Sequence, residues 1–204
     1  MFLYFSQGFI LALTATIMPG PFQAYLLVSA LGSGWKRTMP AVFAPLITDG
    51  PIIFLVLFLL TKTPLWFLDA LCTVGGIFIL YLAFGLIKNL KKTEFYPKPD
   101  SITARQGLFQ AVILNVLNPN PYIFWSVVAG PIVLTGWRES TGLGVSFLAG
   151  FYVTFICSLS TMVILFSTAG KLEHRINRIL SYISVAALTV FGIYQIVIGV
   201  MSVI

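Results

Sequence analysis

Two Pro-X-Pro motifs, each set inside a long apolar stretch, constrain this chain more than any other feature. The first is Met18-Pro19-Gly20-Pro21 and the second is Asn118-Pro119-Asn120-Pro121, with matching prolines one hundred positions apart. Proline has no backbone N–H and clashes with the preceding turn, so each motif is expected to interrupt a helix. The surroundings decide what such an interruption means. The chain is 58% hydrophobic and only 9% charged, with mean hydropathy +0.98. Soluble domains carry about 25% charged residues, so this composition predicts an integral membrane protein. Inside a bilayer, irregular backbone is tolerated only where protein or a water-filled cavity receives the freed polar groups. Paired interruptions in corresponding places of two halves point to a binding site near the midplane.

A chain of 204 residues holds about six spans of roughly 20 residues. The apolar runs place them at residues 3–31, 38–60, 64–88, 107–134, 142–168 and 180–203. The expected fold is therefore all-α and integral to the membrane, with broken first and fourth helices. Thr61-Lys62-Thr63-Pro64 supplies a tight turn between the second and third spans. The opening Met-Phe-Leu-Tyr-Phe has no basic n-region, so it reads as the start of the first span rather than as a cleaved signal.

Basic residues set the expected orientation. Lys36, Arg37, Lys88, Lys91, Lys92, Lys98, Arg105, Lys171, Arg175 and Arg178 fall in the first, third and fifth loops, against Lys62 and Arg138 in the second and fourth. That asymmetry predicts a multi-pass protein of the cytoplasmic membrane with its odd loops cytoplasmic and both termini outside. The net charge of +6 is spread between apolar runs and argues against nucleic acid as a partner. The longest loop, residues 89–106, is expected to be a cytoplasmic linker between a first three-helix repeat, 1–88, and a second, 107–204. Because three is odd, a duplicated three-helix unit must be inverted in the second half. Under that pairing Phe22 matches Tyr122 and Tyr25 matches Trp125.

Counting residues from the loops, at about 1.5 Å of rise each, places several polar groups at one depth. Gly20, Pro21, Asp49, Asn118, Pro119 and Ser158 share that layer, with Gly75-Gly76, Ser160 and Thr189 near it. Asp49 is the only acid deep in any span, where a charge costs about 2.5–3.5 kcal/mol. It is expected to pair with a substrate ammonium or to carry a coupling proton; the plainer alternative is an acid that hydrogen-bonds a broken helix. Gly50-Pro51 is expected to make the second helix irregular beside it. At each Pro-X-Pro break the following half-helix offers free N–H groups to a carboxylate, and the preceding one offers carbonyls to an ammonium. The plainer alternative there is a packing kink. The candidate substrate residues are therefore Asp49, Pro19, Gly20, Pro21, Asn115, Asn118, Pro119, Asn120, Pro121 and Ser158. Asn115, Asn118, Asn120, Gln23 and Gln110 also suit the capping of freed backbone groups. Gly75, Gly76, Gly85, Gly192 and Gly199 suit close helix approach, and such small-residue faces allow a homodimer.

Together these features resemble the LysE/RhtB superfamily of amino-acid exporters. The resemblance rests on the Pro19-Gly20-Pro21 break, on Asn118-Pro119-Asn120-Pro121, on the stretch from Gly75-Gly76 through Tyr81-Leu82 to Gly85, and on the chain length. Where the family commonly has Asn-Pro-Lys, this chain has Asn120 in place of the lysine, which removes a buried cation. The resemblance implies export of amino acids or related small molecules from the cytoplasm, usually driven by the proton gradient, with Asp49 at the family's second-span acid. Protons, a small zwitterion and the lipid bilayer are then the expected partners, and no cofactor is expected. More distant relatives move metal ions. A metal site needs several carboxylates, imidazoles or thiolates, whereas Cys72 and Cys157 lie scattered in apolar spans and His174 in a basic loop. A scaffold subunit would need no polar layer. A membrane-embedded enzyme would need a nucleophile or paired-acid constellation that the chain does not display.

Overall fold

The computed structural model describes residues 1–18, 20–56, 65–91, 103–172 and 174–201, and every element among them is helical. Helices α1 (Phe2–Ile17) and α2 (Pro21–Ser33) meet at a 66° bend. Next come α3 (Trp35–Val42), α4 (Ala44–Phe54) and α5 (Leu65–Lys91). After these, α6 (Ala104–Val116) and α7 (Pro119–Ile123) lead through a π-helical segment (Phe124–Ala129) into α8 (Gly130–Glu139). Two long helices, α9 (Thr141–Leu172) and α10 (His174–Met201), complete the description. Pro19, the expected turn at Lys62 and Pro64, and residues 92–102 of the expected linker lie outside the described residues.

Proline chemistry accounts for the interruptions. An N–H bonds to the carbonyl four residues earlier, so Pro45 leaves the Ala41 carbonyl without its helical donor and α3 ends at Val42. Pro131 likewise removes the donor for Val127, and the preceding turn is π-helical, with the Gly130 N–H reaching the Trp125 carbonyl. One sequence expectation is corrected in its place: α4 runs without a break through Gly50-Pro51, and the irregularities lie on either side, at Phe43 and at the π-helical Leu55 and Val56. A residue before proline leaves the helical region partly because its Cβ meets the proline ring. Gly50 has no Cβ, which eases that clash, and α3 likewise stays helical through Met39-Pro40.

One helix among the described residues is long and apolar enough to cross a membrane by itself, Thr141–Thr168 within α9. The bent pair α1–α2 makes a second if it counts as one broken span. The apolar parts of α5 and α10, Asp69–Gly85 and Val185–Met201, are shorter, and the expected second and fourth spans are cut into segments. Helix length therefore does not by itself establish six crossings.

Packing is organised in pairs. α1 lies along α9, α5 along α10, and α3 and α4 against α6. Glycine allows the closest approaches: a Cβ on Gly8 would collide with the backbone of Phe147, and one on Gly150 with the backbone of Phe5. Gly76 and Gly192 face each other in the same way across α5 and α10. Gly34, at φ 78°, makes the turn from α2 to α3 in a conformation that favours glycine. Beside it, the Trp35 N–H donates to Ser167 Oγ at 3.0 Å, so the start of α3 meets the far part of α9. At the opposite end, Ser146 Oγ donates to the Met1 carbonyl at 2.9 Å, and Gly199 closes on the Asp69 carbonyl.

Candidate functional site

The two helix breaks and α4 converge on one cavity of about 390 Å³. Gly20 and Gln23 reach it from the first break, Asn118, Asn120 and Pro121 from the second, and Asp49 from α4. The wall between them is apolar and aromatic, with Phe22, Phe124, Trp125, Phe151 and Phe155 as its rings. Trp125 and Phe151 pack edge to face with centroids 5.5 Å apart, and Phe151 stacks on Phe155 at the same separation. The rings thus form one connected surface along the π-helical segment and α9. π-Helical turns recur at functional sites because they re-aim side chains within a helix.

Asp49 is 4% exposed, and four neutral side chains hold its carboxylate, Thr48, Asn115, Tyr152 and the Trp125 indole. Asn115 Nδ2 donates to Oδ1 at 3.3 Å and to Thr48 Oγ1 at 2.6 Å. Thr48 Oγ1 lies 3.5 Å from Oδ1, and Tyr152 OH donates to Oδ2 at 3.1 Å. Tyr152 is held in turn by stacking on Trp125, with centroids 6.3 Å apart. No Lys, Arg or His is among the described residues lining the cavity.

Other polar groups repair the breaks. Proline at position 19 cannot donate to the Ala15 carbonyl, and Gln23 Nε2 donates to it instead at 2.9 Å. Tyr122 OH donates to the Val116 carbonyl at 2.9 Å, and Asn118 Oδ1 accepts the Asn120 N–H at 3.1 Å. Asn118 is therefore the N-cap of α7. Buried backbone groups need such partners, because an unpaired one costs about 1–3 kcal/mol.

The sequence candidates separate into groups. Asp49, Gly20, Asn118, Asn120, Pro121 and Asn115 line one cavity. Pro21 and Pro119 are buried at the starts of α2 and α7, behind its surface. Pro19 lies outside the described residues, and Ser158 sits half-buried on α9 without lining the cavity. Depth counting gives a residue's height along a helix but not its face. On α9 the face turned to the cavity carries Phe151 and Phe155. Sequence reasoning missed Thr48, Tyr152 and the aromatic wall. The available signal was the spacing Phe147, Phe151, Phe155, one helical face in a span whose other large residues vary.

A family model described as LysE type translocator matches residues 13–199. The chain belongs to the LysE-type translocator family. No curated protein and no solved structure matches it. The match covers both breaks, Asp49 and the whole aromatic wall. Membership makes this translocator a membrane transport protein for small molecules, in a family of transporters rather than enzymes.

Proposed function

We propose that this translocator exports an amino acid or a related small zwitterion across the cytoplasmic membrane, coupled to proton movement, with the cavity as its substrate site. The observation that carries the reading is the meeting of two proline breaks and one buried carboxylate at a single cavity. Asp49 serves as the partner of the substrate ammonium or as the group that takes the coupling proton. Both roles use its place on the cavity and the absence of a charged partner among the described lining residues.

In this reading the chain crosses the membrane six times as two inverted halves, 1–88 and 107–204, joined by a cytoplasmic linker. The packing pairs support that arrangement. Exchanging the halves turns the contact of α1 with α9 into that of α6 with α3 and α4, and it maps the α5–α10 contact onto itself. Alternating access is then a rocking of one half against the other around the cavity. On the side of the basic loops, Tyr25 OH lies 3.0 Å from both the Gly107 carbonyl and Gln110 Oε1 and shares its one proton between them, so α2 and α6 are tied together there. A metal-ion substrate finds less support, because no group of three His, Cys, Asp or Glu is close enough to hold an ion among the described residues.

Asp49→Asn tests the reading in preloaded vesicles. It keeps the shape of the side chain and removes the charge. Efflux is expected to fall at least tenfold and to lose its dependence on an imposed pH gradient. Unchanged rate and unchanged pH dependence would remove Asp49 from the mechanism.

A further inference from the structure

The make-up of the cavity narrows the substrate further. It holds one carboxylate, and its other described polar side chains are the neutral Thr14, Gln23, Asn115, Asn118 and Asn120. Among the described lining residues no cation faces a substrate carboxylate, and no second anion faces a second ammonium. The remaining surface is broad and apolar, with Trp125 buried between Phe124, Phe151 and Tyr152 beside the acid. A second positive charge, as on a dibasic amino acid, would be buried against this wall without a partner, which is strongly unfavourable. A small hydroxylated side chain would leave most of the wall empty. A volume of about 390 Å³ lies at the low end of small-molecule sites, about 300–1,000 Å³. Aromatic faces also attract an ammonium directly.

Resting on the export reading above, we infer that the site takes a single ammonium joined to a ring-sized apolar group. Asp49 receives the ammonium and the Phe124–Phe151–Phe155 wall receives the ring. A substrate carboxylate is not required for recognition; where one is present, it meets only the neutral asparagines. Both an aromatic amino acid and its decarboxylated amine carry this chemistry.

The test uses full-length protein in proteoliposomes, preloaded separately with phenethylamine, phenylalanine, lysine or threonine. Efflux of at least one ring-bearing compound is expected to exceed that of lysine and threonine tenfold or more. Phenethylamine alone identifies the amine as the substrate source, and phenylalanine alone identifies the zwitterion; either supports the inference. Efflux of lysine or threonine at a rate within threefold of both ring compounds, or above it, overturns the inference while leaving the export reading intact. Efflux of none overturns both. Two wall variants make the assignment local. Ala15→Leu fills the apolar side of the cavity and Phe155→Ala removes a ring of the wall, so each is expected to raise the propylamine-to-phenethylamine efflux ratio about tenfold. Each ratio is read within one preparation, so a reduced yield of folded protein cancels. Ratios that do not move place the ring elsewhere and overturn the inference.

Discussion

At the scale of single residues, the carboxylate of Asp49 is organised by groups from four separate helical segments. Thr48 stands beside it on α4, Asn115 comes from α6, Trp125 from the π-helical segment and Tyr152 from α9. Tyr152→Phe removes one donor while keeping the ring that stacks on Trp125. A hydrogen bond to a charged group contributes about 1.5–3 kcal/mol, and 1.4 kcal/mol is a factor of ten. Efflux by Tyr152→Phe is therefore expected to fall about tenfold or more, beside a fall of several degrees in thermal midpoint, measured by transport and by melting of the same purified sample. A large drop in the midpoint with efflux unchanged would mean that Tyr152 serves packing alone. Asp49 was legible in the sequence because a charge deep in an apolar span is anomalous anywhere. Tyr152 was not, because an amphipathic tyrosine in a membrane helix is ordinary until the register of α9 against α4 is known. Gln23 was ambiguous for the opposite reason. Its bond to the Ala15 carbonyl is dictated by the proline at 19, yet its side chain also reaches the cavity.

At the scale of elements, the chain breaks where proline removes a donor in a setting that cannot compensate. It continues at Met39-Pro40 in α3 and at Gly50-Pro51 in α4. The first and second Pro-X-Pro motifs separate α1 from α2 and α6 from α7, as proline chemistry alone predicts. Gly50-Pro51 looked equivalent in the sequence but lies inside a continuous α4. Nothing lies within 4 Å of a Cβ built on Gly50, so any effect of a side chain there arises from Pro51 rather than from packing. Gly50→Ala is expected to destabilise the protein. In a Pro51→Ala background the same change should stabilise it by up to about 1 kcal/mol, because alanine is the better helix former. Thermal melting of the four proteins in the cycle measures the reversal. If Gly50→Ala has the same sign in both backgrounds, the pre-proline account of α4 is wrong.

At the scale of the whole molecule, the loop charges and the packing of the helices arrive separately at the same division into two ends. The start of α3, which carries Lys36 and Arg37, meets Ser167 near the end of α9. The N-terminal residue meets Ser146 near the start of α9, close to Arg138, and the end of α10 meets the start of α5. Charge bias was legible because it is a matter of composition within loops. Which helices pair could not be read, since it depends on glycine faces such as Gly8 with Gly150 that match only once folded. If the basic end is cytoplasmic, single cysteines will report it. Cys72 and Cys157 are the only native thiols, and replacing both with serine leaves a silent background. In that background, Arg138→Cys is expected to react with a membrane-impermeant maleimide in intact cells, and Lys36→Cys only after permeabilisation. Both positions are exposed, so a lack of reaction reflects the barrier of the membrane rather than burial. Labelling of Lys36→Cys in intact cells, with Arg138→Cys protected, would invert the orientation. Labelling of both from outside would place the two ends on one side and end the six-span reading, because α9 separates them along its full length of 32 residues.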